Sequence, residues 1–201
     1  MFLSGEPTRS TGACVQELGK LACVEEVPDE QLMLAYRDGD AGAFETLYVR
    51  HRARLFRFLL RSIRQRAAAE ELYQEVWMRV IEARGRYAPQ ARFTTWLYTI
   101  AHRLLVDQWR RGALSVVPLD LVEVEGSSPD PARHAEARQT LHKFALALEA
   151  LPQAQREAFL LHEEAGLTAV EIAAATGCGE EAAKSRLRYA MAKLKAAVDD
   201  G

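Results

Sequence analysis

Apolar residues recur every three or four positions from Asp29 to about Arg111, and again from about Glu136 to Val198. In neither stretch do they alternate with a period of two. That spacing lines one face of a helix and leaves no strand to build a sheet, so the chain is expected to be all-α. Phe44, Leu47, Tyr48, His51, Leu55, Phe58 and Leu59 mark the inner face of a long helix. Arg50, Arg52, Arg54, Arg57 and Arg61 occupy its remaining surface. A second helix, from about Ala67 to Arg84, turns Leu72, Val76, Val80 and Ala83 inward. Gly85–Gln90 interrupts the pattern, and a third helix from about Thr94 to Arg111 buries Leu97, Ile100, Ala101, Leu104 and Leu105.

The stretch 113–135 differs in kind. It holds Pro118, Gly126, Ser127, Ser128, Pro129 and Pro131, and its four acids (Asp120, Glu123, Glu125, Asp130) face one base, Arg133. Such a segment cannot bury enough apolar surface to fold by itself, so it reads as an acidic flexible linker. Residues 1–28 mix Gly, Pro, Ser and Thr and read as a mobile N-terminal tail. The expected organisation is therefore a tail (1–28), a helical domain (29–112), the linker (113–135) and a second helical domain (136–201). In the second domain Leu141, Phe144, Ala145, Leu148 and Leu151 are expected to face inward before Pro152 stops the helix.

Charge is distributed unevenly. The whole chain has a formal net charge of −2. Residues 45–112 nevertheless carry 14 basic and 6 acidic side chains, between two blocks with an excess of acids. A cationic middle third suggests a polyanionic partner. With 49% hydrophobic residues, bulk disorder is excluded. No apolar run of ~18 residues spans a membrane, and no basic start followed by an apolar stretch suggests a signal peptide. Cys14, Cys23 and Cys178 are odd in number and form no C-x-x-C pair. Reduced thiols in the cytoplasm, with no metal and no cofactor, are the expectation.

Residues 166–198 carry a motif with a mechanism. Thr168-Ala169-Val170-Glu171 fits a capping box, so a short helix starts at Thr168 and ends at Thr176-Gly177-Cys178-Gly179. A second helix follows from Glu180, with Ala183, Leu187, Ala190, Leu194 and Val198 inward. Lys184, Ser185, Arg186 and Arg188 lie on or near its outer surface. Two helices around a tight Gly-containing turn, the second basic, describe a helix-turn-helix able to place Arg and Lys against base edges or phosphates. An amphipathic helix with a solvated basic face has the same pattern. In the first domain Glu71, Gln74 and Glu75 share about one turn opposite Leu72 and Val76, with Trp77 near them. That face is either solvated or docks on a basic helix. The run Phe93–Arg103 mixes aromatics, hydroxyls and cations, as stacking on unpaired bases requires. Trp96 and Tyr98 suit a core equally well.

The order of these parts resembles the sigma-70 family of bacterial RNA polymerase sigma factors, in its extracytoplasmic-function (ECF) group. Glu71-Leu72-Tyr73-Gln74-Glu75-Val76 is similar to the family's D-L-x-Q-E-x. Phe93–Ala101 is similar to F-x-x-W-L-x-x-I-A, and Asp107-Gln108-Trp109-Arg110-Arg111 to D-x-x-R-R. Leu148–Phe159 is similar to L-x-x-L-P-x-x-x-R-x-x-F, and Glu171-Ile172-Ala173 with Lys184-Ser185-Arg186-Leu187 to E-I-A and K-S-R-L. The resemblance covers about residues 29–197. It implies a region 2-like bundle and a region 4-like helix-turn-helix. Glu71, Gln74 and Glu75 would bind core RNA polymerase on the coiled-coil helices of β′, with β a further contact. Tyr87, Arg92, Thr95, Trp96, Tyr98, His102, Arg103, Arg110 and Arg111 would recognise and hold the melted minus-10 element. Thr168, Lys184, Ser185, Arg186 and Arg188 would read the minus-35 element in duplex promoter DNA. An anti-sigma factor is an implied partner, and catalysis would belong to the polymerase. Arg103 stands where the family often has Asn, and Glu180 and Glu181 where small or hydroxyl residues are usual. A helix-turn-helix regulator with an unrelated helical sensor domain is the alternative.

Overall fold

A computed structural model describes residues 27–111 and 131–199, with residues 131–136 described by their backbone alone. The tail (to residue 26), the linker up to residue 130, Cys14 and Cys23 lie outside the described residues. Among those described there are eight α-helices, one 3-10 turn and no strand. The first domain holds α1 (Asp29–Arg37), α2 (Ala41–Ile63), α3 (Arg66–Ala83), the 3-10 turn Arg84–Arg86 and α4 (Phe93–Arg110). The second holds α5 (Pro131–Glu149), α6 (Gln153–Ala165), α7 (Ala169–Thr176) and α8 (Glu180–Asp199).

Each start has a local cause. Asp40 accepts hydrogen bonds from the Gly42 and Ala43 amides at 2.9 and 3.2 Å, satisfying donors that α2 cannot pair internally. At the start of α4 the Phe93 amide donates to Glu30 Oε1 at 2.6 Å, so a side chain of α1 caps α4 from outside. Asp29, in the same turn, accepts from Arg50 (2.8 Å) and pairs with His51 Nε2 (2.7 Å) of α2. α5 begins at Pro131, inside the stretch expected to be linker. Proline suits a first helical position, because its fixed φ is already helical and its missing N–H would be unpaired there.

Between α1, α2, α3 and α4 the core holds Leu47, Leu55, Phe58, Leu59, Val76, Val80, Phe93 and Leu97, all buried. Phe44, Tyr48, Tyr73 and Trp77 extend it in edge and tilted ring contacts with centroids 5.0–6.4 Å apart. Trp77 is therefore a core residue, not a neighbour of the exposed Glu/Gln face. It follows Val76 onto the side of α3 that meets α2. In the second domain Leu160, Leu161, Leu167, Ile172, Ala183, Ala190 and Leu194 are buried. Leu141 is not: it is 51% exposed, and residues 137–142 are all exposed. Its half of α5 runs past the surface that covers Phe144 and Leu148. Val198 is likewise largely outside, at 38% exposure on the last turn of α8.

The two domains pack directly on one another. α6 lies across α2 and also touches α4, while α7 packs on α4. Gly166 and Gly177 end α6 and α7 in left-handed conformation (φ 64° and 67°), which turns the chain sharply without a Cβ penalty. Those two turns bring α7 back against α4 and set α8 across α6.

Two substitutions test this account in urea unfolding. Leu97→Ala empties a fully buried site and is expected to cost about 2–5 kcal/mol. Asp40→Ala removes the cap of α2 and is expected to cost about 1 kcal/mol.

Candidate nucleic-acid and partner interfaces

Three surfaces carry the residues singled out above. On α3, Glu71 and Gln74 are exposed, and Glu75 is half-buried with an ion pair to Arg79 at 2.8 Å. Met78 and Ile81 are exposed on the same helix. Leu72 and Val76 face the core, so α3 presents a polar face that ends in an apolar one.

The second surface is α4 and the loop before it. Tyr87 is buried with its ring 5.0 Å from Trp96 and 6.4 Å from Phe93. Burial pushes its hydroxyl up to about 12, and the nearby Glu30 and Asp29 charges add to the shift. Tyr98 is fully buried, edge-on to Phe58 at 5.1 Å. Burial raises its hydroxyl well above the ordinary tyrosine range, and the charge of Glu164 adds to it. Thr95 is buried and Trp96 half-buried, whereas Arg92, Arg103, Arg110 and Arg111 are exposed. Tyr87 and Tyr98 of the minus-10 set are thus packed away, Trp96 keeps part of its ring outside, and Arg92, Arg103, Arg110 and Arg111 are exposed.

Three carboxylates of the second domain meet the first domain, two of them on this surface and one on α2, and none was among the candidates. Glu157 Oε1 lies 2.5 Å from His102 Nδ1. Glu164 accepts from Arg57 Nε at 2.9 Å and Arg61 Nη1 at 2.8 Å. Glu171 Oε1 accepts from the Thr95 hydroxyl at 3.2 Å and Arg92 Nη1 at 3.3 Å. Glu157 and Glu164 are 8% and 5% exposed. They stand two turns apart on α6, so both point the same way. The available signal was a pair of acids in the register of an apolar helix face.

Glu171 does double service. Its Oε2 accepts from the Thr168 amide and hydroxyl, both at 2.9 Å, while the Glu171 amide donates to Thr168 Oγ1 at 3.3 Å. The expected capping box is present at α7. Burial by itself would push the Glu171 carboxyl up. The hydrogen bonds from the Thr168 amide and hydroxyl, with Arg92 and Thr95, outweigh it and hold the carboxyl below its ordinary value. Thr168 and Thr95, candidates from different domains, meet through this one side chain.

The third surface is α8. Lys184 is held by Glu180 and Glu181 at 2.8 and 2.9 Å. Hydrogen bonds to Glu180 and then Glu181 raise its ammonium above the ordinary lysine value. Arg188 is exposed and stacks over the Tyr189 ring at 5.2 Å, while Ser185 and Arg186 are half-buried. Cys178, in the turn, is half-buried and accepts from the Thr176 hydroxyl at 3.3 Å. Among the described residues no group of His, Cys, Asp and Glu could hold a metal ion. No described helix is long and apolar enough to cross a membrane.

The family model described as Sigma-70 region 2 matches residues 47–114, and that described as Sigma-70, region 4 matches residues 141–194. The chain is 35% identical over 173 residues to RNA polymerase sigma factor CarQ of Myxococcus xanthus, covering 81% of this chain and 93% of that protein. It is 33% identical to ECF RNA polymerase sigma factor RpoE of Cereibacter sphaeroides, covering 82% and 91%. Two solved structures share the fold. CnrH in complex with the cytosolic domain of CnrY has a TM-score of 0.62 at 24% identity, covering 86% of this chain and 97% of that one. The sigma factor RpoE with the anti-sigma factor NepR from Bartonella quintana has 0.63 at 22%, covering 78% and 96%.

The depressed carboxyl of Glu171 has a pH signature. A carboxylate stabilised in the folded state contributes stability above its unfolded value and loses it as pH falls through the lower folded one. Glu171→Gln is therefore expected to flatten the fall in unfolding free energy on acidification below the ordinary carboxylate value. Parallel slopes for the two proteins in urea titrations at stepped pH would show that Glu171 carries no such linkage.

Proposed function

Because this chain belongs to the sigma-70 family, in its extracytoplasmic-function group, and so directs promoter-specific transcription initiation with RNA polymerase, we propose how its residues divide the work. Residues 29–112 form the domain that docks on core polymerase and holds the melted minus-10 element. Residues 131–201 form the domain that reads the minus-35 element, and residues 113–130 join them. Glu71, Gln74 and Glu75 dock on the β′ coiled-coil helices. The observation that carries this assignment is the exposed acid–amide face of α3, whose opposite side is wholly committed to the core. Glu71 and Gln74 stand exposed on it beside the Glu75–Arg79 pair, and such a face suits a basic helix of a partner.

Arg92, Thr95, Trp96, His102 and Arg103, with Arg110 and Arg111 further along α4, hold the opened strand, cations to phosphate and Trp96 to a base. Tyr87 and Tyr98 act from beneath, as the buried rings that set the position of α4. On α8, Arg186 and Arg188 contact duplex DNA with Ser185. Lys184 reaches it by exchanging Glu180 and Glu181 for phosphate, and Thr168 sets the start of α7. Specificity comes from this chain and chemistry from the polymerase, so the chain itself is not an enzyme and works in the cytoplasm. An anti-sigma factor is its negative partner, as the complexes of CnrH with CnrY and of RpoE with NepR suggest by fold.

Run-off transcription with core polymerase and genomic promoter fragments tests the whole. A discrete transcript that requires this protein is expected, and no initiation at any promoter overturns the assignment. The double variant Glu71→Ala, Gln74→Ala is expected to weaken binding to core in a competition assay while leaving helical content intact. Arg186→Ala is expected to cost about 1–3 kcal/mol in minus-35-dependent initiation, the range for losing one bidentate base contact.

A further inference from the structure

The first turn of α1 does more for α4 than close its end. Glu30 is half-buried, and its Oε1 accepts the Phe93 amide at 2.6 Å across 63 positions of sequence. An amide at a helix start has no partner inside its own helix, so the place of this one is set from α1. That turn of α1 is itself fixed. Asp29 is clasped by Arg50 at 2.8 Å and His51 at 2.7 Å, and Arg50 also donates to the Val27 carbonyl at 2.7 Å. The start of α1 is thereby pinned to α2, and Glu30 carries that fixed point to α4.

Phe93 passes it on. Its ring is fully buried, 5.3 Å from His51, 6.4 Å from Tyr87 and 5.7 Å from Trp96. The Tyr87 hydroxyl is buried and has no hydrogen-bond partner among the described residues, so ring packing keeps that side chain in place. Just before Tyr87, Arg84 lies over the Tyr36 ring of α1 at 5.3 Å. Residues 88–92, between the two buried aromatics, are all exposed. The loop is therefore anchored at both ends against α1. Arg92, Thr95 and Trp96 all lie beside Phe93 in sequence, so a shift in the first turn of α4 moves all of them. A recognition site has to be held to within about 0.5 Å by groups that do not themselves touch the ligand.

We propose that Glu30 of α1 is a positioning residue for the minus-10 site: by holding the Phe93 amide it fixes the first turn of α4 and the exposed loop before it, and so sets how sharply Arg92, Thr95 and Trp96 distinguish one minus-10 sequence from another. Glu30 stays off the DNA and acts through Phe93. This rests on the assignment of Arg92, Thr95 and Trp96 to the opened strand.

The test uses the full chain with core polymerase, on the strongest promoter that run-off transcription identifies and on templates in which each minus-10 base is changed singly. The unaltered chain is expected to lose about tenfold in initiation at the positions it reads best. Glu30→Ala is expected to shrink that discrimination about fivefold, as loss of one hydrogen bond implies. Its affinity for core polymerase and for minus-35 duplex is expected to stay unchanged. Glu30→Gln keeps an oxygen within reach of the Phe93 amide and is expected to restore the discrimination. Asp40→Ala is the control, because it removes a helix cap elsewhere in the same domain. It is expected to lower stability and leave discrimination intact. Full discrimination in Glu30→Ala, an equal loss in Asp40→Ala, or no rescue by glutamine each overturns the proposal. If Glu30→Ala loses helical content, Glu30→Asp carries the same comparison, since it keeps the charge and draws the carboxylate back by one methylene. Trp96→Ala separates the two levels. If it removes discrimination while Glu30→Ala keeps it, only the positioning role is wrong. If Trp96→Ala keeps it too, the strand assignment beneath is wrong as well.

Discussion

A carboxylate taken out of water has to keep a cation beside it, and much of this structure follows from where Glu164 finds one. It is buried between α6 and α2, with Arg57 and Arg61 on its two oxygens. That contact sets the register of α6 along α2. Two turns earlier on α6, the same register delivers Glu157 to His102 of α4. Just past the other end, Gly166 turns the chain and Glu171 reaches Arg92 and Thr95. One helix face therefore positions the second domain against two helices of the first. Arg64 adds a tie at the edge, donating to the Glu149 carbonyl at 2.9 Å from a left-handed backbone position (φ 61°).

The arginines used in this packing are drawn from the basic middle of the chain. Part of that positive charge is met by acids of the second domain, and α3 keeps Glu71 and Gln74 outward. The aromatic residues are divided the same way. Tyr87 and Tyr98 build the platform from below, and Trp96 remains at the surface.

Much of the fold was readable in advance because helices announce themselves locally. The boundaries of α3 and α4, the cap at Thr168 and the turn at Gly177 all sit within a residue or two of where periodicity and capping chemistry put them. Leu141 shows the limit of the method. It has the right spacing but lies on a half-helix with nothing to pack against, and spacing does not report how far a partner extends. Trp77 shows another limit, since an aromatic beside a polar face fits either side of a helix until the core around it exists. Lys184 was legible as a cation but not as one already engaged by Glu180 and Glu181, because alternative partners within a turn are equally spaced.

The sequence by itself determined most of the helices, many of their ends, most of each buried stripe and the family to which their order belongs. These are properties of neighbours within a few residues, and the backbone's 3.6-residue turn converts them into a pattern. Only the tertiary structure decided which acids meet which cations. Glu164 and Arg57 are 107 positions apart, and Glu157 and His102 are 55 apart. An ion pair leaves no period in the chain. It depends on two helices being brought to within about 3 Å by everything packed beneath them.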